Sequence, residues 1–538
     1  MAGDRRESYD LIVVGGGSAG GAMASRLSED GKLDILLLEA GKSDQHPFTR
    51  IPAANIRAVQ NPDFDWCFQA EPDPSISGRA DVWPAGKRLG GGSAINAMIF
   101  IRGHRWDYDH WAELGARGWD YEGVLPYFRR MERNERGEDS HRGGSGPLSV
   151  SENRAGYPLT QAWIEAAQQA GIPRSKDLNG ADCEGVDTIQ LSQHKGWRHS
   201  TAAAYIRPAL KRRNLTLELQ ARALRILIED NRAVGVEYEQ DGQRKTVRSS
   251  RGVVVCGGSV NSPRLLMLSG IGPGAHLREL GIPVVADLPG VGTNLQEHVG
   301  SHVVDDVNQT TLNSDLSPLR SVVHALNFFL AGRGALTSSI GHAQAFVKTR
   351  EGIPAPNIQI QFAPLAFDID AQGKLVLRKT PSVNQAVAVM RPKSRGTVTL
   401  RSSNPDDMPV IRHQLLGDDD DMEQLVEGMT IARRIADQPA LKRYITAEVR
   451  PGPPFQTPEA LKQFLRLASI PFYHPVGTCR MGDGPMAVVD AELKVRGVDG
   501  LWVADASIMP TLPSGNTNAT AIMIGEKGSD LVRRAVSN

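Results

Sequence analysis

No uninterrupted apolar run in this chain approaches the roughly 20 residues that a membrane-crossing helix needs, so no such span is expected. An apolar leader is also missing: MAGDRRESYD passes directly into a strand-like run. Net charge is absent. Lys plus Arg and Asp plus Glu each number 61, which leaves no overall field to gather nucleic acid. Cysteine is scarce, and Cys67, Cys183, Cys256 and Cys479 form no CxxC pair. That spacing argues against a zinc site or a disulfide scaffold and fits a reducing compartment. The expectation is therefore a cytoplasmic protein without a metal; peripheral membrane association is the alternative that leaves little trace in sequence.

Glycine is the abundant residue, at 55 of 538, which favours tight turns and close backbone approach to a ligand. A chain of this length exceeds one hydrophobic core and is expected to form two or three substructures. The first motif lies near the start. Tyr9 to Val14 reads as a buried strand, Gly15-Gly16-Gly17-Ser18-Ala19-Gly20 follows at once, and Gly21 to Leu27 reads as a helix. A second strand, Ile35 to Leu38, ends in Glu39 beside Ala40. This strand–turn–helix context with a later acid is what a dinucleotide fingerprint requires. Gly15 permits the turn, Gly17 admits a pyrophosphate, and Gly20 allows close helix–strand packing. The helix N-terminus, at Ser18 and Ala19, offers free N–H groups to phosphate. Glu39 is expected to accept from ribose hydroxyls. The motif alone fits NAD as well as FAD.

Two further glycine-rich stretches follow. Gly86 to Asn96 contains Arg88, the triplet Gly90-Gly91-Gly92 and Ser93, and runs on through Ala97 and Met98 to Phe100. Successive glycine N–H groups of this kind can form an anion-binding nest. Gly258 to Gly272 follows the apolar strand Val253–Cys256 and reads as turn and helix. With the N-terminal fingerprint, these stretches resemble the two signature patterns of the glucose–methanol–choline (GMC) flavoprotein family. The resemblance continues through Gly290 to His298, His474 to Thr478 and Val503 to Ser507, from about Asp10 to Asp530. In appearance it is similar to the bacterial choline, primary-alcohol and sorbose dehydrogenases of that family.

The resemblance implies an α/β protein of mixed α+β character: a Rossmann-type FAD-binding domain and a substrate domain built on a large antiparallel sheet. Residues 8–155, 211–305 and 466–538 are expected in the first, and 156–210 and 306–465 in the second. Alternating runs at Ile358–Phe362, Gln385–Met390 and Thr397–Arg401 suit a sheet roofing the flavin. The adenine-contact position falls on Ala223, and Asp505 with Ala506 is expected beside the ribityl–pyrophosphate part. Members that attach FAD covalently use a His where this chain has Ile95, which predicts non-covalent FAD.

Flavin-dependent alcohol oxidation moves a hydride from the carbinol carbon and a proton from the hydroxyl to a base, usually His. The block Phe472-Tyr473-His474-Pro475-Val476-Gly477-Thr478 matches the family's catalytic His, and Pro475 holds His474 extended. Asn516, in Pro513-Ser514-Gly515-Asn516-Thr517-Asn518, matches the second active-site position, where an amide can hold the substrate oxygen. Thr517 and Asn518 are expected at the cofactor, Asn518 at the flavin ring. His298 and His302 are expected to be structural. Glu526 and Lys527 read equally well as a surface pair. Ile358, Phe362 and Tyr473 are expected to contact substrate, while Gln359 and Gln361 face either the pocket or the outside of the sheet.

The expected reaction is oxidation of a primary alcohol to the aldehyde, with oxygen or a quinone-type compound as acceptor. Choline is not favoured, because no aromatic cage with a carboxylate is legible. A hydroxynitrile lyase on the same fold is the alternative.

Overall fold

The structure is a computed structural model that describes residues 8–315, 318–369 and 375–537. Its first sheet is built from runs too apolar to face water. Leu11 to Val14 and Ile35 to Glu39 are buried throughout, as expected for parallel strands covered on both faces. The strand order is Leu215–Leu219, Ile35–Glu39, Ser8–Val14, Gln243–Val255, Arg232–Gln240 and Arg222–Glu229, with Leu501–Val503 also parallel to Gln243–Val255. The last two strands in that order are antiparallel returns. Helix Ser18–Leu27 covers one face and packs on the terminal helix Asn518–Ser537.

That packing buries Glu526 completely, where Arg26, Arg130 and the Tyr205 hydroxyl all donate to it. Lys527 is nearly buried as well, over the rings of Trp119 and Tyr127 with its ammonium on the Gly118 and Gly123 carbonyls. Neither is a surface residue. The two lie on the helix face turned toward the core, where Glu526 is matched by two arginines and the Lys527 ammonium rests on carbonyls and rings.

The second sheet is antiparallel, in the order Ile445–Arg450, Val299–Val307, Ser382–Val389, Ile358–Ala363, Ala343–Val347 and Gly185–Thr188, and Ile470–Pro471 pairs with Val299–Val307. The expected division after residue 305 falls inside Val299–Val307, and we place that border before Val299. Thr397–Thr399 is not part of this sheet. It forms a separate two-stranded ladder with Val410–Arg412.

The two faces of the Ile358–Ala363 strand differ. Ile358, Ile360 and Phe362 pack into an apolar core with helices Pro158–Gln169 and Asp419–Ala436, where Phe362 stacks on Trp163 at 5.3 Å. By the two-residue period of a strand, Gln359 and Gln361 then face the first sheet. Ile358 and Phe362 therefore lie on the face turned away from the cavity, not on the one expected for substrate contact. The apolar face of the roof is used to hold helices, and the amides are left over the cavity.

Candidate active site

A cavity of about 530 Å³ lies between the two sheets. It is lined by Gly15, Gly17, Ser18, Ala19, Glu39 and Ala40 from the first motif and by Gly91, Gly92, Asn96, Ala97 and Met98 from the second glycine run. Ala223, Asp505, Ala506, Tyr473, His474, Asn516, Thr517 and Asn518 complete the set of sequence-predicted residues found there. Three predicted residues support the cavity from outside. Gly20 packs so closely that a Cβ would stand 1.9 Å from the Gly15 carbonyl oxygen. Arg88 lies over the Phe64 ring and donates to the Asp63 and Ser43 carbonyls. Ser93 is held by Gly90 and Thr201.

The nucleotide end fits a pyrophosphate group. Helix Ser18–Leu27 starts at Gly17 with no side-chain cap and no acid in its first turn, so its leading N–H groups are open to an anion. Gly17 and Gly91 face each other across the cradle, and a Cβ on Gly91 would meet the Gly17 Cα at 2.7 Å. Glu39 accepts from the N–H groups of Gly16 and Gly41 at 2.8 and 2.7 Å, and burial pushes its carboxyl up to about 7. Its remaining lone pairs are available to hydroxyls. Asp505 joins segments distant in sequence, accepting from the N–H groups of Gly258 and Ser507 and from the Ser262 hydroxyl. Asn518 accepts from the Ser18 hydroxyl at 2.7 Å, which places it against the first glycine turn.

At the other end, His474 and Asn516 meet, with Asn516 Nδ2 and His474 Nε2 3.0 Å apart. Gln361 Nε2 donates to Asn516 Oδ1 at 3.0 Å, so the Asn516 amide nitrogen faces the imidazole. The tautomer of His474 follows from its other neighbours. His298 Nε2 lies 3.1 Å from the Met390 carbonyl, which can only accept, so that nitrogen carries the proton. In neutral His298 the bare Nδ1 then accepts from His474 Nδ1, 2.9 Å away. His474 Nε2 is left without a proton, and its lone pair accepts from the Asn516 amide. Burial alone holds His474 down to about 4 and keeps it neutral at neutral pH.

His298 thus positions the His474 ring, beyond the structural role expected of it. Its ring is fully buried and lies edge-on to that of His474. Glu297 fixes the backbone of the same residue: both its carboxylate oxygens accept from the His474 N–H. Tyr473 takes a φ of +64°, a left-handed conformation that a side-chain-bearing residue rarely adopts. His302 lines the cavity and contacts the Asn384 side chain at 3.1 Å, in contrast to a purely structural placement.

Replacing His298 by Asn removes the ring acceptor that holds the His474 Nδ1 proton. The expected result is a loss of about tenfold or more in the rate constant of cofactor reduction, within the span of general-base catalysis, with KM nearly unchanged. Single-turnover absorbance traces check this, and a wild-type rate would mean that the tautomer is set elsewhere.

Family models described as GMC oxidoreductase match residues 9–300 and 392–525. The chain is 43% identical over 524 residues to the oxygen-dependent choline dehydrogenase of Brucella canis, covering 97% of this chain and 95% of that protein. It is 43% identical over 538 residues to the mitochondrial choline dehydrogenase of Mus musculus, covering 98% and 90%. Among solved structures, pyridoxine 4-oxidase from Mesorbium loti is 29% identical with a TM-score of 0.87, over 97% of this chain and 98% of the other. A fungal aryl-alcohol oxidase is 26% identical with a TM-score of 0.84, over 99% and 100%.

Proposed function

The chain belongs to the GMC oxidoreductase family and is an FAD-dependent oxidoreductase acting on CH–OH groups, and from that premise we propose that it oxidises a neutral primary alcohol to the aldehyde with His474 as general base. The observation that carries the choice of substrate is the uncharged lining of the reaction end. The only carboxylates lining the cavity, among the described residues, are Glu39 and Asp505. Both are engaged with backbone N–H groups of the glycine turns. Around His474 and Asn516 stand Gln361, Asn384, Met98, Ile99 and Phe472, which carry no charge. A quaternary ammonium brought into such a site loses its water and gains no counter-charge from the lining; Glu297 stands behind His474 with both oxygens on its N–H, and burial pushes its carboxyl well up. A neutral hydroxyl meets amide donors and acceptors there. The relatives named for choline therefore point to the reaction type rather than to the alcohol.

In this reading, the alcohol hydroxyl takes the place of the Asn516 amide at His474 Nε2, the two nitrogens parting from their direct 3.0 Å contact to admit it. Its O–H donates to the bare Nε2 and its lone pair accepts from the amide. Proton transfer to Nε2 leaves alkoxide character on oxygen, which the Asn516 N–H stabilises. The imidazolium charge is shared with His298 through the Nδ1 contact. Bound FAD supplies the two-electron acceptor for the carbinol C–H bond. The glycine turns would hold its pyrophosphate, and Glu39 its ribose. Ile95, buried at the start of this wall, offers no nucleophile for a covalent link, so the cofactor is taken as dissociable.

The test is anaerobic mixing of the purified yellow protein with a panel of alcohols, followed by turnover with oxygen and with an artificial acceptor. Bleaching is expected to be fastest with uncharged primary alcohols, with kcat/KM for choline at least tenfold lower, as expected of an uncompensated buried charge. Choline as the best substrate would overturn the neutral-site reading. No bleaching with any alcohol, together with cleavage of mandelonitrile, would turn the case to the lyase.

A further inference from the structure

Helix Pro318–Ala331 is unlike every other helix described above, because its apolar stripe faces outward. Leu319, Val322, Val323, Leu326, Phe329 and Leu330 recur at the three- and four-residue spacing that aligns side chains on one face. Their exposures run from 46% for Val323 to 83% for Leu330, where an amphipathic helix of a globular core would bury them. The helix is attached by Phe328, fully buried against Trp197 at 4.5 Å. Six large apolar side chains on one exposed face mark a surface that is covered in use.

What covers it is indicated by the hollow beside it. A cavity of about 570 Å³ has Phe328, Phe329 and Leu330 as one wall. Arg50, Arg154, Lys195, Arg198 and Arg207 stand on the other side, and the only carboxylate lining it, among the described residues, is Asp44. Arg207 already takes both oxygens of Asp44, and Arg154 is paired with Glu135. Arg198 is buried, and its Nε and Nη2 have no hydrogen-bond partner. Arg50 lies over the Trp197 ring at 5.0 Å, next to the helix anchor. The chain as a whole has no net charge, so this is a local excess of cations, not part of a general field.

We propose that helix Pro318–Ala331 and the cationic hollow beside it form a docking surface for an anionic lipid bilayer. The stripe enters the headgroup–acyl boundary while the exposed Arg50 and Lys195 receive lipid phosphates. An apolar face flanked by fixed cations is the pattern of a helix lying in the plane of a membrane surface. A second copy of the chain is a poorer occupant. A two-fold contact through this face would bring the two cationic hollows toward each other.

The test is flotation of the FAD-loaded full chain with vesicles of phosphatidylglycerol and phosphatidylcholine, and with phosphatidylcholine alone. Wild type is expected to float with the anionic vesicles and to be released by salt. Leu326→Ser/Phe329→Ser/Leu330→Ser should lower vesicle binding at least tenfold. Arg50→Glu/Lys195→Glu should lower it on anionic vesicles. These surface positions lie outside the reaction site, so alcohol oxidation with a small dye acceptor is expected to be unchanged in both variants. If the apolar triple variant does not fold, the charge-reversal variant decides the question alone. Wild type remaining at the bottom of the gradient overturns the proposal. So does a dimer, seen by light scattering, that either variant dissolves without any vesicle binding by wild type.

Discussion

His474→Ala lowers the rate constant for flavin reduction by two to four orders of magnitude, the span expected when a general base is lost, about 3 to 5 kcal/mol of barrier. FAD content and the visible spectrum stay near wild type, because the nucleotide end of the cavity draws its contacts from the glycine turns, Glu39 and Asp505. Stopped-flow bleaching under alcohol checks the rate, and a wild-type value removes His474 from the role of base. The pH profile of the wild-type enzyme gives an independent reading. The base acts only when neutral, and burial holds His474 down to about 4. The rate constant is therefore flat at neutral pH and falls only as pH drops through about 4. An ordinary histidine would lose half its activity near pH 6.5. A midpoint there would mean that the imidazole is hydrated in the working enzyme.

Gly15→Ala is expected to give a protein with at least tenfold less FAD per chain. Gly15 has a φ of +104°, and a Cβ there would stand 2.4 Å from the Cys256 carbonyl oxygen. The obstacle is backbone of the neighbouring strand, which cannot swing aside as a side-chain tip can. Relief requires the turn to open, and the turn carries the N–H groups offered to the pyrophosphate. The contrast is Gly17, whose Cβ would meet only the Gly91 Cα, at 3.8 Å. Gly17→Ala would keep the fold and intrude into the cradle itself. Flavin released by acid precipitation, measured per mole of chain, checks the first variant. A full complement of FAD in Gly15→Ala would show that the turn tolerates a side chain.

The parts of the molecule legible in sequence are those whose neighbours in space are also neighbours in chain. The turn Gly15 to Gly20 needs only the strand before it and the helix after it. His474 and Asn516 are each marked by a local block, and both line the cavity. What stayed illegible depends on pairings between distant segments. Glu297 and His298 stand in a readable block, Gly290 to His298, yet their contact with His474 spans 176 to 177 residues. The alternation in Ile358 to Phe362 announces a strand with two unlike faces but not which one roofs the cavity. Its apolar residues read as a substrate wall, whereas the helices behind the sheet claim them. Glu526 gave no sign of burial because its three partners come from positions 26, 130 and 205.

The bond between Ser18 and Asn518 spans 500 residues, and Arg26 meets Glu526 across the same distance. That closure has a consequence for biosynthesis. At about 5 to 20 residues per second, a ribosome takes about 25 to 100 seconds to deliver the second partner after the first. For most of that interval the glycine turn is out of the exit tunnel without the segment that completes its pocket. The nascent chain can complete its first sheet no earlier than the synthesis of Leu501–Val503, and the pocket closes only after that of Asn518. Chains released early, lacking the last helix, would emerge colourless and with the apolar face of helix Ser18–Leu27 uncovered, which makes them natural targets for the cell's holding chaperones.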